Sequence, residues 1–247
     1  MEQSDDYLQI SEKANMCRKL WGIDEFIPLD IFRVVLEKVE NVSIIFFDTE
    51  ENLSGSSKKI GDQNIIFINA NHPLGRQRFT LAHEIYHLKY DDEFGVCDID
   101  HGNDSVEEKA DYFASCLLMS NSALCNYEIE NNISEWNLDK VIQAEQYFQI
   151  SHKAMLRKLT DLGRISEYTA EEFLPGIMIN AQLRGYDLKL YKPYTDGKNL
   201  ILGNYLPLAK KAYVNNKISK SKLNELLIDG FYEDIVEKKT MDDLIEG

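Results

Sequence analysis

The sequence predicts an α+β fold: a small β-sheet packed on a helix that carries an H-E-x-x-H motif, followed by a mainly helical C-terminal part. Two observations lead there. Short runs rich in β-branched and aromatic residues, Val42–Phe47 and Asn64–Asn69, read as strands. Around them lie longer segments with apolar residues at helical spacing.

Residues 7–21 read as a first helix, with Leu8, Ala14, Met16, Leu20 and Trp21 as its apolar positions. Asp24–Leu29 reads as a turn, and Pro28 can open a second helix reaching about Val39. The polar, Gly- and Ser-containing stretch 48–63 separates the two strands and reads as a loop. A helix is expected over 76–90, after Pro73 and Gly75, and another from 104 or 105 to 119. The second has Ala110, Phe113, Ala114, Leu117 and Leu118 on one face. Between the two, 91–103 is acidic and loop-like. Helices are also expected over 138–148 and 152–162, with Gly163 as a C-terminal cap. Farther on, helices are predicted over 206–215 and 219–229, and a hairpin around Tyr186–Leu202 with Thr195-Asp196-Gly197 as its turn. This organisation divides as 1–135, 136–167 (a helix-turn-helix-like module) and 168–247.

Composition narrows the function classes. The longest clean apolar runs, such as Ile44–Phe47, are far too short to span a bilayer, and the acidic start MEQSDDYLQ is unlike a secretory signal, so a cytoplasmic protein without membrane contact is expected. The four cysteines include no C-x-x-C pair and read as free thiols. Net charge is −15, and residues 91–135 alone carry twelve acidic side chains against one basic. Phosphate contacts need Lys and Arg, so direct nucleic-acid binding is not expected. The segment 138–166 is locally basic through Lys140, His152, Lys153, Arg157, Lys158 and Arg164, but Asp139, Glu145, Asp161 and the adjoining Glu167 almost cancel that; it reads as a packing module.

The chemistry concentrates at His83-Glu84-Ile85-Tyr86-His87. Residues i and i+4 lie one turn apart, so both imidazoles leave the helix on one side and can hold a single metal ion. Leu81, Ile85 and Leu88 fall roughly opposite and can be buried. Zinc in hydrolytic sites takes three protein ligands and keeps a position for water, and the intervening Glu84 is placed to take that water's proton. For the third ligand Glu107 is preferred. It shares a helix face with Ala110, Ala114 and Leu117, whereas Glu108 is rotated outward by about 100°. Asp111, one turn later, can orient a histidine ring through its second nitrogen. A pair of solvent-facing histidines, with Glu107 merely complementing a helix dipole, is the plainer account of the same residues.

RQRFTLAHEIYHLKY (76–90) followed by EEKADYFASCLLMS (107–120) resembles the ImmA/IrrE metallopeptidases, as do LSGSSKKIGDQNIIFIN (53–69), QISHKAMLRKLTDLGRIS (149–166) and, more weakly, 208–227. The resemblance implies one zinc ion bound by His83, His87 and Glu107, Glu84 as general base and Asp111 behind the ligands. It departs from the family at Ser120, where proline is usual, at Lys109, often glutamate, and in lacking the family's frequent N-terminal DNA-binding domain. It also implies a substrate: a separate repressor-type regulator.

The expected function is therefore zinc-dependent endoproteolysis of a protein partner, most simply a basic DNA-binding repressor. The alternative is a non-catalytic metal-binding module that binds a transcription factor or DNA. Tyr86, Tyr112, His101 and Arg76 are the candidates for stabilising an oxyanion. The acidic stretch is expected to steer a basic substrate, and neutralising Asp91, Asp92 and Glu93 to slow association while leaving the metal in place.

Overall fold

The computed structural model describes residues 2–50, 52–91 and 104–238. The chain begins with helix α1 (Glu2–Trp21) and the short α2 (Ile31–Lys38). Ile10, Ala14, Cys17 and Trp21 form the buried stripe of α1, one residue per turn, against helix α4 (Asp104–Leu118). This corrects the sequence expectation: Leu8, Met16 and Leu20 lie off that stripe and are exposed. Arg18, fully buried, donates to the carbonyls of Leu117, Asp24 and Ile27, and so ties the 24–27 turn to the end of α4. Proline 28 opens no helix; α2 starts at Ile31.

The sheet contains β1 (Val42–Phe47), β2 (Gly55–Ile60), β3 (Gln63–Asn69) and β4 (Leu200–Gly203) in the order β2-β3-β1-β4. β1 and β3 are parallel, with Ile44 beside Ile66; β2 and β4 flank them antiparallel. Val42, Ile44, Phe46, Ile66 and Ile68 form the buried face. The sequence reading missed β2, because an edge strand with half-exposed residues (GSSKKI) has no apolar alternation to announce it.

Helix α3 (Leu74–Tyr90) packs on β2 and β3 with Leu81, Ala82 and Ile85 fully buried, and α4 packs on α3. Helix α5 (Asn121–Glu130) follows, with Ser120 as its N-cap, accepting from the Ala123 amide at 2.9 Å. Serine here serves the helix that begins, in place of the family's proline.

Helices α6 (Leu138–Phe148) and α7 (His152–Asp161) form where expected, and Gly163 takes the left-handed conformation just past the second. Gly75 lies against the start of α7, which Ser151 caps: a Cβ there would lie 2.9 Å from the Ser151 backbone, so glycine lets the N-terminal ends of α3 and α7 meet this closely. Buried Glu145 holds the pair together, contacting His152 Nδ1 at 2.7 Å while accepting from the Tyr191 hydroxyl at 2.5 Å.

After the short helices α8 (Glu167–Phe173) and α9 (Ile177–Leu183), the expected hairpin is absent. Residues 186–199 instead make a 3-10 turn at Lys189–Tyr191 and cross the start of α3, where Leu74 N donates to Lys192 O at 2.7 Å and Tyr194 N to Gln77 Oε1 at 3.0 Å. The Thr195-Asp196-Gly197 turn does form, with Asp196 and Gly197 both at positive φ. It delivers β4 to β1 instead of to a neighbouring strand. Helices α10 (Tyr205–Val214), α11 (Lys220–Asp229) and α12 (Glu233–Lys238) gather around Ala209, Leu223 and Leu227. Cys17, Cys116 and Cys125 are free thiols. No helix among the described residues is long and apolar enough to cross a membrane.

Candidate metal centre

The site is built where α3 and α4 pack side by side. His83 and His87 leave α3 on the side away from buried Leu81 and Ile85, and their Nε2 atoms lie 3.1 Å apart. Glu107, in the first turn of α4, brings Oε2 to 3.1 Å from His83 Nε2 and Oε1 to 3.6 Å from His87 Nε2. It is half exposed rather than buried, so its direction, and not the cost of burial on an apolar face, marks it out. Glu108 is exposed and lies outside the group that His83, His87 and Glu107 form among the described residues.

Behind this cluster, each Nδ1 faces a carboxylate. Asp111 Oδ1 lies 3.0 Å from His83 Nδ1, and Asp91 Oδ2 lies 3.0 Å from His87 Nδ1. An ionised carboxylate can only accept, so each ring carries a proton on Nδ1, which leaves Nε2 as the ring atom turned toward the cluster. Without a metal His83 also donates from Nε2 toward Glu107; once that proton is given up, two lone pairs and a carboxylate converge, an arrangement that a cation satisfies. The spacing fits as well. Ligand separations of 3.1, 3.1 and 3.6 Å bracket the edge of a tetrahedron with metal–ligand bonds of about 2.0–2.1 Å, an edge of about 3.3–3.4 Å. Among the described residues these three can bring one ligand atom each within 4.8 Å of one another.

Asp91 was read from the sequence only as part of an acidic mouth. It is the C-cap residue of α3, four residues after His87, and that i, i+4 spacing was the signal that could have found it. Asp91 thus contacts the His87 ring directly, whereas Asp92 and Glu93 lie outside the described residues.

Electrostatics follow from this packing. Burial opposes a charge on His83, but its hydrogen bonds to Asp111 and Glu107 outweigh that and push its pKa up to about 10. Glu107 is held below the usual carboxylate range, first by its hydrogen bond to His83. Burial would raise Asp111, yet His83 and Arg157 facing it hold it low. Glu84 is buried, and burial pushes its carboxyl up against the opposing pull of His83. The edge strand reaches this carboxylate: a Cβ on Gly55 would stand 3.4 Å from Glu84 Oε1.

Of the oxyanion candidates, Tyr86 packs edge-on to His87 with ring centroids 5.9 Å apart and sits against Phe113. Tyr112 meets Tyr7 edge-on, and Arg76 donates to Ser54 Oγ at 2.8 Å. His101 lies outside the described residues.

No curated protein matches the chain. Among solved structures, a Mycobacterium tuberculosis transcriptional regulator is similar with a TM-score of 0.46 and 12% identity, over 64% of this chain and 48% of that one. This chain thus spans about half the length of that regulator. The family comparison covers β1, β2, β3, the α3–α4 pair and nearly all of α7, but not β4: residues 37–160 match the IrrE N-terminal-like domain of the M78 peptidases, and the chain belongs to that family.

Proposed function

We propose that this protein is a zinc-dependent endopeptidase that cleaves a protein substrate, a repressor-type transcriptional regulator, in the cytoplasm. His83, His87 and Glu107 are the zinc ligands, Glu84 is the general base, and Asp111 and Asp91 orient the two rings. The observation that carries this reading is the convergence of three ligand atoms at tetrahedral spacing with a fourth, non-ligating carboxylate inside the same motif. A structural zinc site closes with four protein ligands and needs no base. Three converge among the described residues, which supports catalysis over a purely structural role.

Zinc bound there supplies Lewis acidity, polarising the scissile carbonyl and acidifying the attacking water toward neutrality. The protein's own part is proton handling. Glu84 takes the water's proton on a carboxylate oxygen and returns it to the leaving amine. Its burial suits the task, since a carboxyl raised above its ordinary range is a stronger base and a better donor afterwards. Asp111 and Asp91 keep both Nδ1 protons in place while this happens.

A basic DNA-binding substrate suits the charge of the chain, −15 overall. The basic residues of the α6–α7 region are mostly turned to internal tasks: Lys140 donates to Glu135 O, Arg164 pairs with Glu128, Arg157 with Asp111, and Lys158 is buried. That use favours the packing role over DNA contact. The test is co-expression of Glu84→Gln and wild type with a neighbouring repressor. Zinc retained at wild-type level and cleavage reduced by about 10²–10⁴-fold is the expected result. Cleavage by the Gln variant at the wild-type rate overturns the mechanism.

A further inference from the structure

Asp111 is the meeting point of three helices. Its Oδ1 faces His83 Nδ1 of α3 at 3.0 Å, and its Oδ2 accepts from Arg157 of α7 at 3.0 Å. Carboxylate rotation about the last side-chain bond is soft, so an aspartate held by one oxygen can swing away from a ring it orients. Asp111 is one-third exposed, and packing alone does not lock it. A second donor on the opposite oxygen fixes the plane of the carboxylate. The position of that donor is built in: Ser151 caps the start of α7 while lying against Gly75 of α3, and Arg157 follows one and a half turns later.

We propose that Arg157 is a positioning residue for the metal centre, holding Asp111 so that His83 keeps its Nδ1 proton on the carboxylate and its Nε2 lone pair toward the ion. This inference rests on the metal-site reading above. It gives the helix-turn-helix-like region a role in the centre, although none of its residues is a ligand.

A competing effect runs the other way. Arg157 is a cation, and removing it should draw a metal ion in. Its guanidinium is 63% exposed and bonds the Asp111 oxygen that does not face His83. In water-like dielectric, screened over a Debye length of about 8–10 Å, the loss of that repulsion is worth at most a few-fold in affinity. Removing the partner of a metal-ligating histidine costs about 10–100-fold. Arg157 acts one step further out and is exposed, so the low end applies.

The experiment measures Zn²⁺ affinity by chelator competition for the full chain and for Arg157→Ala, Arg157→Lys, Asp111→Ala and the double variant Asp111→Ala/Arg157→Ala. It adds the visible spectrum of the Co²⁺ forms and the thermal midpoints of the metal-free proteins. Arg157→Ala is expected to weaken Zn²⁺ about tenfold and shift the Co²⁺ bands, with Arg157→Lys recovering most of the loss. The metal-free midpoint should move by no more than about 4 °C, as for an exposed ion pair. In the Asp111→Ala background the same substitution should change affinity less than about twofold. Unchanged or tighter binding by Arg157→Ala overturns the proposal, as does an equal loss in the two backgrounds. Wild-type protein that retains no zinc overturns the metal-site reading and this inference with it.

Discussion

Gly55→Ala tests whether the edge strand is seated as closely on the candidate base as the structure has it. A Cβ built on Gly55 lies 2.4 Å from Thr80 Cγ2, 2.7 Å from Phe67 O and 3.4 Å from Glu84 Oε1. Carbon pairs settle at about 3.5–4.0 Å, so the first contact is about 1 Å too short. Phe67 belongs to the paired strand β3 and its carbonyl cannot retreat without breaking the ladder. The strand must lift from α3 instead, at the cost of overpacking a filled interior, about 1–3 kcal/mol. For a chain of this size that is roughly 2–12 °C in the thermal midpoint. Thr80→Ser removes the nearest clashing atom. Alone it loses one buried methyl, about 1 kcal/mol; combined with Gly55→Ala it should return part of the loss, giving a coupling of about 0.5–2 kcal/mol. The assay is thermal and denaturant unfolding of the four proteins, with zinc content and cleavage measured alongside. Zinc should remain, because Gly55 touches no ligand, whereas cleavage should fall as the new methyl crowds Glu84. A Gly55→Ala protein as stable as wild type, or a double variant with no coupling, refutes the packing argument.

Three further outcomes are expected. Glu107→Ala should lose most bound zinc while Glu108→Ala keeps it, read by metal analysis of the purified proteins; the reverse result moves the ligand by one residue. With the pKa of metal-free His83 near 10, zinc uptake at pH 7 must displace about one proton, and affinity should weaken as pH falls; calorimetry in buffers of different ionisation enthalpy that detects no proton release contradicts this. Lys158 is buried with its Nζ 4.0 Å from Cys116 Sγ and over the Tyr112 ring, and forms no ion pair among the described residues. Burial lowers its pKa, so the folded state binds its proton less readily than the unfolded chain, and the penalty is present below the ordinary lysine pKa. Lys158→Met should therefore stabilise by about 1–3 kcal/mol near neutral pH, with the advantage shrinking as pH rises toward about 10.5; an advantage that does not vary with pH rules out this cause.

The sequence by itself determined the parts of this protein that depend on local spacing. Both central strands, α3, α4, α6 and α7 were legible because their patterns repeat at the period of the backbone that forms them. The same is true of the candidate site: His83 and His87 share a side through i, i+4 spacing, and helical phase favoured Glu107 over Glu108 before any packing was known. Tertiary structure decided what spacing cannot encode. The strand β2 gains its identity from β3, and β4 from β1, a partner more than 150 residues away. The buried stripe of α1 was chosen by α4, since both of its sides carry apolar residues. Arg157 took its place beside Asp111 only when α7 closed on α3 and α4, with Gly75 against Ser151. A guanidinium on a distant helix carries no spacing signal toward its partner. That partner is fixed by which helices meet, and this depends on the packing of the whole core.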